Sequence, residues 1–356
     1  MHTIGCFISS HGFGHATRTC AILDALARKT AISAHLFTAV NESVFSHSLA
    51  PFYHHPQITD VGFVQHDAFH IDIKSTLDGL TQLLPFETQN VTDLAHQCRR
   101  FSFILCDISA LGIAVAEHAG IPSVLVENFT WDWLYTPYVE RYPKLGVYCS
   151  YLKNHYERAD YHIQTAPCCS PSKADLHCGP IFRSFKETPD IIRARFNSAG
   201  RKIVLITLGG IGFTPAFIDI LAKHDNYYFI VTGQQASGPK GENIFLLSSL
   251  SDFYHPDLIN CSDLVVFKAG YSTLAECYQS GKPTICIGRE GFPESSVLES
   301  FARQTMHSKI ISQADFISGK WLSLLPEIVH SPVIKQVTNG AERVRDFLLK
   351  HLLGKG

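Results

Sequence analysis

No run of about eighteen consecutive apolar residues occurs in the sequence, so no membrane-spanning helix is expected. Charge of one sign is also missing. Thirty Lys and Arg stand against 32 Asp and Glu, a net −2, which supplies no strong field for nucleic acid, and no nucleic-acid partner is expected. The start of the chain lacks a basic segment followed by an apolar stretch and a small-residue cleavage site, so no signal peptide is expected. No repeat with a period of roughly 20–50 residues and no low-complexity tract is visible. The eleven cysteines are an odd number, and Cys6, Cys106, Cys261, Cys277 and Cys286 lie inside apolar runs. This suits buried thiols in a reducing, cytoplasmic setting rather than a disulfide framework. Cys168, Cys169, His177 and Cys178 match no zinc spacing, so no metal site is expected.

What is present reads as globular: 46% of the 356 residues are hydrophobic and 17% charged. The length allows two domains. Apolar runs at 4–9, 34–39, 101–106, 122–127 and 162–165 read as strands. Ala21, Ile22, Ala25 and Leu26 are spaced for one face of a helix over 17–29, and a helix pattern follows Asp107 as far as Ala119. This alternation predicts a parallel sheet with helices on both faces. A looser stretch at 166–176, rich in Pro, Ser and Cys, precedes a second series. Its strands are expected at 202–208, 227–232, 243–247, 264–268 and 283–288. One helix opens on Thr214-Pro215, an N-cap followed by proline at the first helical position. Another covers 272–280, and 333–353 reads as mostly helical. The expected organisation is α/β. A first domain spans 1–165, a linker 166–180, a second domain 181–330, and a C-terminal helix within 331–356 is placed to cross back to the first domain.

The stretch Ser10-His11-Gly12-Phe13-Gly14-His15-Ala16-Thr17-Arg18 lies where the first strand meets the first helix. Ligands of open parallel sheets bind outside the carboxyl ends of the strands. Gly12 and Gly14 permit a sharp turn and close approach. His15 titrates near neutrality and is a candidate base. Asp107, ending another strand on the same sheet edge, could orient it. The plainer alternative makes both residues helix caps. In the second half, Leu208-Gly209-Gly210-Ile211-Gly212 is a glycine turn that either offers amides to phosphate or only reverses the chain; it is neither a P-loop nor G-x-G-x-x-G. Lys268-Ala269-Gly270-Tyr271-Ser272-Thr273 joins a strand to a helix. Ser272 and Thr273 could cap that helix and face a phosphate. Glu276 lies one turn on, either to accept from a ribose diol or to complete a capping box. Trp131 and Trp133 follow a strand and either stack on an acceptor or belong to the core.

In order and content these motifs resemble the nucleotide-sugar glycosyltransferases of the GT-B fold, most closely the branch that forms lipid II by transferring N-acetylglucosamine. That branch has a glycine-rich loop ending in Gly-His after its first strand, similar to His11–His15. It also has a strand, Arg-Ser-Gly, then Thr and Glu on a helix, similar to Lys268-Ala269-Gly270 with Thr273 and Glu276 in step. His177-Cys178-Gly179-Pro180-Ile181 is similar to the segment that opens the second domain. Residues 11–18 also resemble the amino-terminal region of plant arabinokinases, whose kinase part has no counterpart in this chain. The resemblance covers both halves. It implies two Rossmann-like domains facing each other across a crevice, with a nucleotide-sugar donor, UDP-linked, bound on the second.

On that resemblance Gly209, Gly210, Lys268, Gly270, Ser272 and Thr273 would face the diphosphate and Glu276 the ribose. Glu290 and Glu294 would face the donor sugar, although Ser295 stands where the family commonly has glutamine. Arg289 would either contact phosphate or lie at the surface. His15, paired with Asp107, would deprotonate an acceptor hydroxyl in a direct displacement with inversion. His11, Gly12, Phe13, Gly14 and Trp131 would lie on the acceptor side. No metal and no cofactor are implied, the acceptor is unidentified, and peripheral membrane contact stays open. Two alternatives share the fold: a non-hydrolysing sugar-nucleotide epimerase, which needs no acceptor, and a non-catalytic nucleotide-sugar-binding subunit.

Overall fold

A computed structural model describes residues 1–49, 51–196, 198–209, 217–248, 251–334 and 338–354. The chain divides into two compact units. Met1–Val64, Asp72–Phe182 and Thr338–Gly356 form unit 1, and Gln65–Ile71 with Arg183–Val337 form unit 2.

In unit 1, strands β1 (His2–Ile8), β2 (Ile32–Phe37) and β3 (Phe52–His55) come first. Two short strands, β4 (Val64–Gln65) and β5 (Ile71–Asp72), pair with each other where the chain leaves unit 1 for Gln65–Ile71 and returns. Then come β6 (Phe103–Asp107), β7 (Ser123–Glu127), β8 (Tyr161–Thr165) and β9 (Leu176–Cys178). The sheet order is β3-β2-β1-β6-β7-β8-β9, with every neighbouring pair parallel. Ile4, Cys6, Phe7 and Ile8 are completely buried, because helices cover a parallel sheet on both faces and its strands become continuous apolar runs. The helix Gly14–Ala27 packs through Ala16, Cys20 and Ile22 into the same cluster as Ala341, Val344 and Leu348 of the helix Gly340–Leu348. The last helix of the chain therefore belongs to unit 1. It starts later than residue 333, because extended Asn339 is its N-cap and accepts from Ala341 N at 3.0 Å. The stretch expected to link the halves contributes β9 to the edge of this sheet, so the division falls between Phe182 and Arg183.

Unit 2 repeats the scheme with β10 (Lys202–Thr207), β11 (Tyr227–Gln234), β12 (Gly238–Pro239), β13 (Ile244–Ser248), β14 (Leu264–Lys268), β15 (Thr284–Ile287) and β16 (Ser308–Ile311). Their order is β12-β13-β11-β10-β14-β15-β16, parallel except for β12 against β13. Alternate residues of one strand serve opposite faces. Val204 and Ile206 join one buried cluster with Phe229 and Val266, while Ile203 and Leu205 join another with Ile230 and Val265. In each sheet the strand order reverses beside the first strand, at β1/β6 and at β10/β14. Such switch points open a notch at the carboxyl ends of the strands, where ligands of these sheets bind. The helix expected from Thr214-Pro215 lies outside the described residues.

Candidate active site

In unit 1, Ile8 at the end of β1 stands opposite Asp107 at the end of β6. The chain then turns through Gly12, whose φ of +72° lies in the left-handed region. Phe13 is the N-cap of the helix Gly14–Ala27 and makes no side-chain cap bond. His15 is therefore in the first turn, and its side chain turns to Asp107, Nδ1 lying 2.8 Å from Oδ1. Asp107 is not a cap either, since Ser109 Oγ accepts from Gly112 N to cap the helix Ala110–Ala119. Of the two readings open for this pair, the paired one describes the geometry.

A carboxylate can only accept, so His15 Nδ1 carries the proton and Nε2 keeps its lone pair. His15 is 7% exposed and Asp107 fully buried. Arg18, one turn along the same helix face, is the partner that the sequence left unassigned. Its Nε donates to Asp107 Oδ2 at 2.9 Å, Nη2 to Oδ1 at 2.5 Å, and Nη1 to Asn128 Oδ1 at 2.7 Å. Thr19 Oγ1 adds a fourth donor at 3.3 Å. Burial alone would raise the Asp107 pKa, but the charge and hydrogen bonds of Arg18 hold it below the ordinary carboxylate value. Burial, helped by the Arg18 charge and opposed by Asp107, lowers the pKa of His15. The result is a neutral imidazole at neutral pH with one nitrogen available as a proton acceptor.

Behind this pair stands a second buried carboxylate. Asp60 accepts from Ser9 Oγ at 3.0 Å and from Trp131 Nε1 at 3.1 Å. Burial, opposed by those two bonds, raises its pKa to about 7. Trp131 is 1% exposed, stacked on Tyr135 and edge-on to Phe129 and His11. The surface that would have stacked on an acceptor is covered, and Trp131 backs the histidines from the core. Gly62 supports His11 by its missing side chain: a Cβ there would lie 2.6 Å from His11 Nδ1. Phe13 is half-buried against the core, and Gly14 begins the helix.

In unit 2 the corresponding notch carries Gly209 and Lys268. Gly209, just beyond β10, is exposed at φ +79°, and Lys268 ends β14 with its Cε 3.5 Å from where a Gly209 Cβ would sit. Gly210 lies outside the described residues. Gly270 is the N-cap of the helix Tyr271–Ser280 and makes no side-chain cap bond. Ser272 and Thr273 are thus not the caps their types suggested; they occupy the first turn, and the amide end of a helix favours an anion. Burial, with the charge of Arg289, lowers the Lys268 pKa to about 7, against the opposing pull of Glu294 and Asp67.

Glu276 belongs to no capping box. Its Oε1 accepts from Arg183 Nε at 2.8 Å, its Oε2 lies 2.8 Å from His255 Nδ1, and the residue is 1% exposed. Burial would raise its pKa; Arg183 and His255 outweigh this and lower it. Any ribose diol must therefore use the remaining lone pairs or displace His255. Arg183 and His255 carried no motif signal, being separated from Glu276 by 93 and 21 positions. Glu290 is exposed on a turn. Glu294 is 7% exposed, 3.5 Å from Arg289 Nη1 through Oε1. Arg289 is not at the surface: it is 7% exposed and donates from Nε to Ala68 O and from Nη2 to Gln65 Oε1, each at 3.2 Å.

All eleven cysteines are free. Among the described residues no group of three or more His, Cys, Asp or Glu side chains is arranged to hold a metal, and no helix is long and apolar enough to cross a membrane.

Two parallel α/β sheets of this order are the GT-B fold, the fold of structural neighbours that include glycosyltransferases. The glycosyltransferase of kitacinnamycin superposes with a TM-score of 0.63 over 99% of both chains at 14% identity. In sequence, 98% of the chain is 25% identical to L-arabinokinase of Arabidopsis thaliana, of which it spans 34%. A second match, 27% identical, covers 40% of the chain and 42% of the UDP-N-acetylglucosamine–N-acetylmuramyl-(pentapeptide) pyrophosphoryl-undecaprenol N-acetylglucosamine transferase of Alkaliphilus metalliredigens. The chain thus spans about a third and under half of these two relatives. No family model matches.

Proposed function

We propose that the chain transfers a sugar from a nucleoside-diphosphate donor, UDP-linked, to an acceptor hydroxyl with inversion. The observation that carries this reading is the buried His15–Asp107 pair at the β1/β6 switch point, with Nε2 as the open nitrogen. The acceptor oxygen forms a bond to the anomeric carbon as its proton passes to His15 Nε2. The bond from that carbon to the diphosphate breaks, and the diphosphate leaves with the electron pair. Asp107 stabilises the imidazolium formed, as a carboxylate partner does in other base-catalysed displacements. On unit 2 the first-turn amides of the helix Tyr271–Ser280, with Gly209 and Lys268, supply positive potential to the leaving diphosphate. Glu276 takes the ribose hydroxyls. The UDP preference is supported by the UDP-N-acetylglucosamine in the name of the transferase relative.

The test is calorimetric titration with UDP, GDP, TDP, ADP and CDP, repeated on Glu276→Ala. One diphosphate is expected to bind, and Glu276→Ala should weaken it by about 1.5–3 kcal/mol for each charged hydrogen bond lost. No binding by any of the five would overturn the proposal.

A further inference from the structure

Asp60 is buried in unit 1, and its two oxygens take different donors. Ser9 Oγ donates to Oδ1 at 3.0 Å and Trp131 Nε1 to Oδ2 at 3.1 Å. Both donors lead on to the histidines of the turn after β1. Ser9 directly follows β1, and its N donates to Asp107 O at 3.3 Å. Because its hydroxyl proton goes to Asp60, Ser9 Oγ keeps its lone pairs and accepts from His11 N at 3.3 Å. Trp131 lies edge-on to His11, with ring centroids 5.2 Å apart, and tilted against His15 at 6.1 Å. Tyr135, stacked on Trp131, donates from its hydroxyl to Gly62 O at 2.9 Å and so ties the same segment down.

A carboxylate is costly in this place. Asp60 lines an apolar cavity with Leu80, Leu84, Trp131, Tyr135 and Tyr156, and a buried charge needs good bonds to offset its desolvation. Two converging donors call for two acceptor oxygens. An ionised carboxyl offers both, an amide offers one, and protonation turns one carboxyl oxygen into a donor. The titratable groups facing Asp60 are Asp107 on β6, Tyr135 on the helix Trp131–Tyr135 and Tyr156 on the helix Leu145–Tyr156. The two phenols donate elsewhere, Tyr135 to Gly62 O and Tyr156 to Ile108 O.

We propose that ionised Asp60 is a positioning residue for sugar transfer: through Ser9 and Trp131 it holds the turn that presents His11 and His15 to the acceptor. This role rests on the transfer reading given above and adds to it a second group whose ionisation the reaction needs. Burial puts the Asp60 pKa at about 7, against the pull of its two donors. Protonation removes an acceptor from the pair of donors, so transfer falls as pH drops through about 7. His15 loses its function as base only below its own value, which burial lowers from 6.5. As acid is added, Asp60 therefore titrates first.

The experiment follows diphosphate release from saturating UDP-glucose with a mixed hydroxyl-acceptor library between pH 5.5 and 8.5, on wild type, Asp60→Asn and Trp131→Phe. Saturating donor keeps Lys268 out of the profile. The Trp131 indole N–H is followed by NMR over the same range, assigned by its loss in Trp131→Phe, and thermal melting checks each fold. In wild type the acid limb of release and the indole shift should share a midpoint near pH 7. Asp60→Asn should lower release about tenfold or more with UDP affinity within about twofold. It should also move the acid limb below 6.5 and abolish the indole step near 7. Trp131→Phe removes a bond that favours the ionised carboxyl, so its acid limb should move the opposite way, above 7. An acid limb unmoved in both variants, a wild-type indole that does not titrate near pH 7, or release within about twofold of wild type in Asp60→Asn would overturn the positioning role. If Asp60→Asn does not fold, the wild-type indole titration and the direction of the Trp131→Phe limb decide. Wild type that releases no diphosphate at any pH would instead remove the transfer reading and this role with it.

Discussion

Arg18→Met is the sharpest perturbation of the unit 1 cluster. It leaves Asp107 fully buried with His15 and Thr19 as its side-chain donors among the described residues. Breaking a buried ion pair on one side costs about 3–5 kcal/mol, because the other charge stays buried and unpaired. For a cooperative unit of this size, 1 kcal/mol moves Tm by about 2–4 °C, so the loss is about 6–20 °C near pH 8. The deficit should depend on pH in one direction. In wild type the folded His15 pKa is lowered, so the unfolded state binds more protons and stability falls as pH drops below about 6.5. Without Arg18 one cause that lowers the His15 pKa is gone while burial stays, so the pKa is lowered less than in wild type. The variant therefore loses less stability than wild type as pH drops below about 6.5. The deficit is therefore smaller at pH 6 than at pH 8. Thermal melts of both proteins between pH 5.5 and 8.5, with imidazole titration by NMR, measure this. A variant within about 1 kcal/mol of wild type at pH 8, or one whose deficit grows toward acid, would refute the placement of Arg18.

Two further outcomes follow from the same clusters. Lys268 has a pKa of about 7 before ligand binds. An anion favours its charged form, so binding at pH 8 takes up a proton and diphosphate affinity falls as pH rises above 7. Calorimetry in two buffers of different ionisation enthalpy reads the proton count, and Lys268→Met should weaken binding and flatten its pH dependence; proton release would contradict the role. Asp107→Asn should lower turnover about 10²–10⁴-fold through loss of the imidazolium's partner, with much less change in diphosphate affinity, and steady-state kinetics beside calorimetry separates the two.

The strand ends were legible because a parallel strand buried on both faces is an uninterrupted apolar run, and the first polar residue after it marks the carboxyl edge. That rule located His15, Asp107 and Lys268. Arg18 lay in plain view, three residues from His15 on a face that packs inward, where a charge demands a buried partner. Asp60 was not legible, since its bond to Ser9 spans 51 positions and no periodicity encodes it. Ser272 and Thr273 look like caps by type, yet Gly270 holds the N-cap position, because the cap is set by where β14 releases the chain. The partners of Glu276 were missed for the same reason as those of Asp60. The transfer of Gln65–Ile71 to unit 2 was missed because a strand-and-helix reading follows chain order, whereas packing does not.

The central claim is that His15 acts on the acceptor while the nucleotide is held elsewhere. The measurement is diphosphate release from UDP-glucose with a mixed hydroxyl-acceptor library, for wild type and His15→Ala, alongside UDP affinity. Release is expected to fall about 10²-fold or more in His15→Ala, while UDP affinity stays within about twofold. Equal loss of affinity and release, or release that persists without His15, would contradict it.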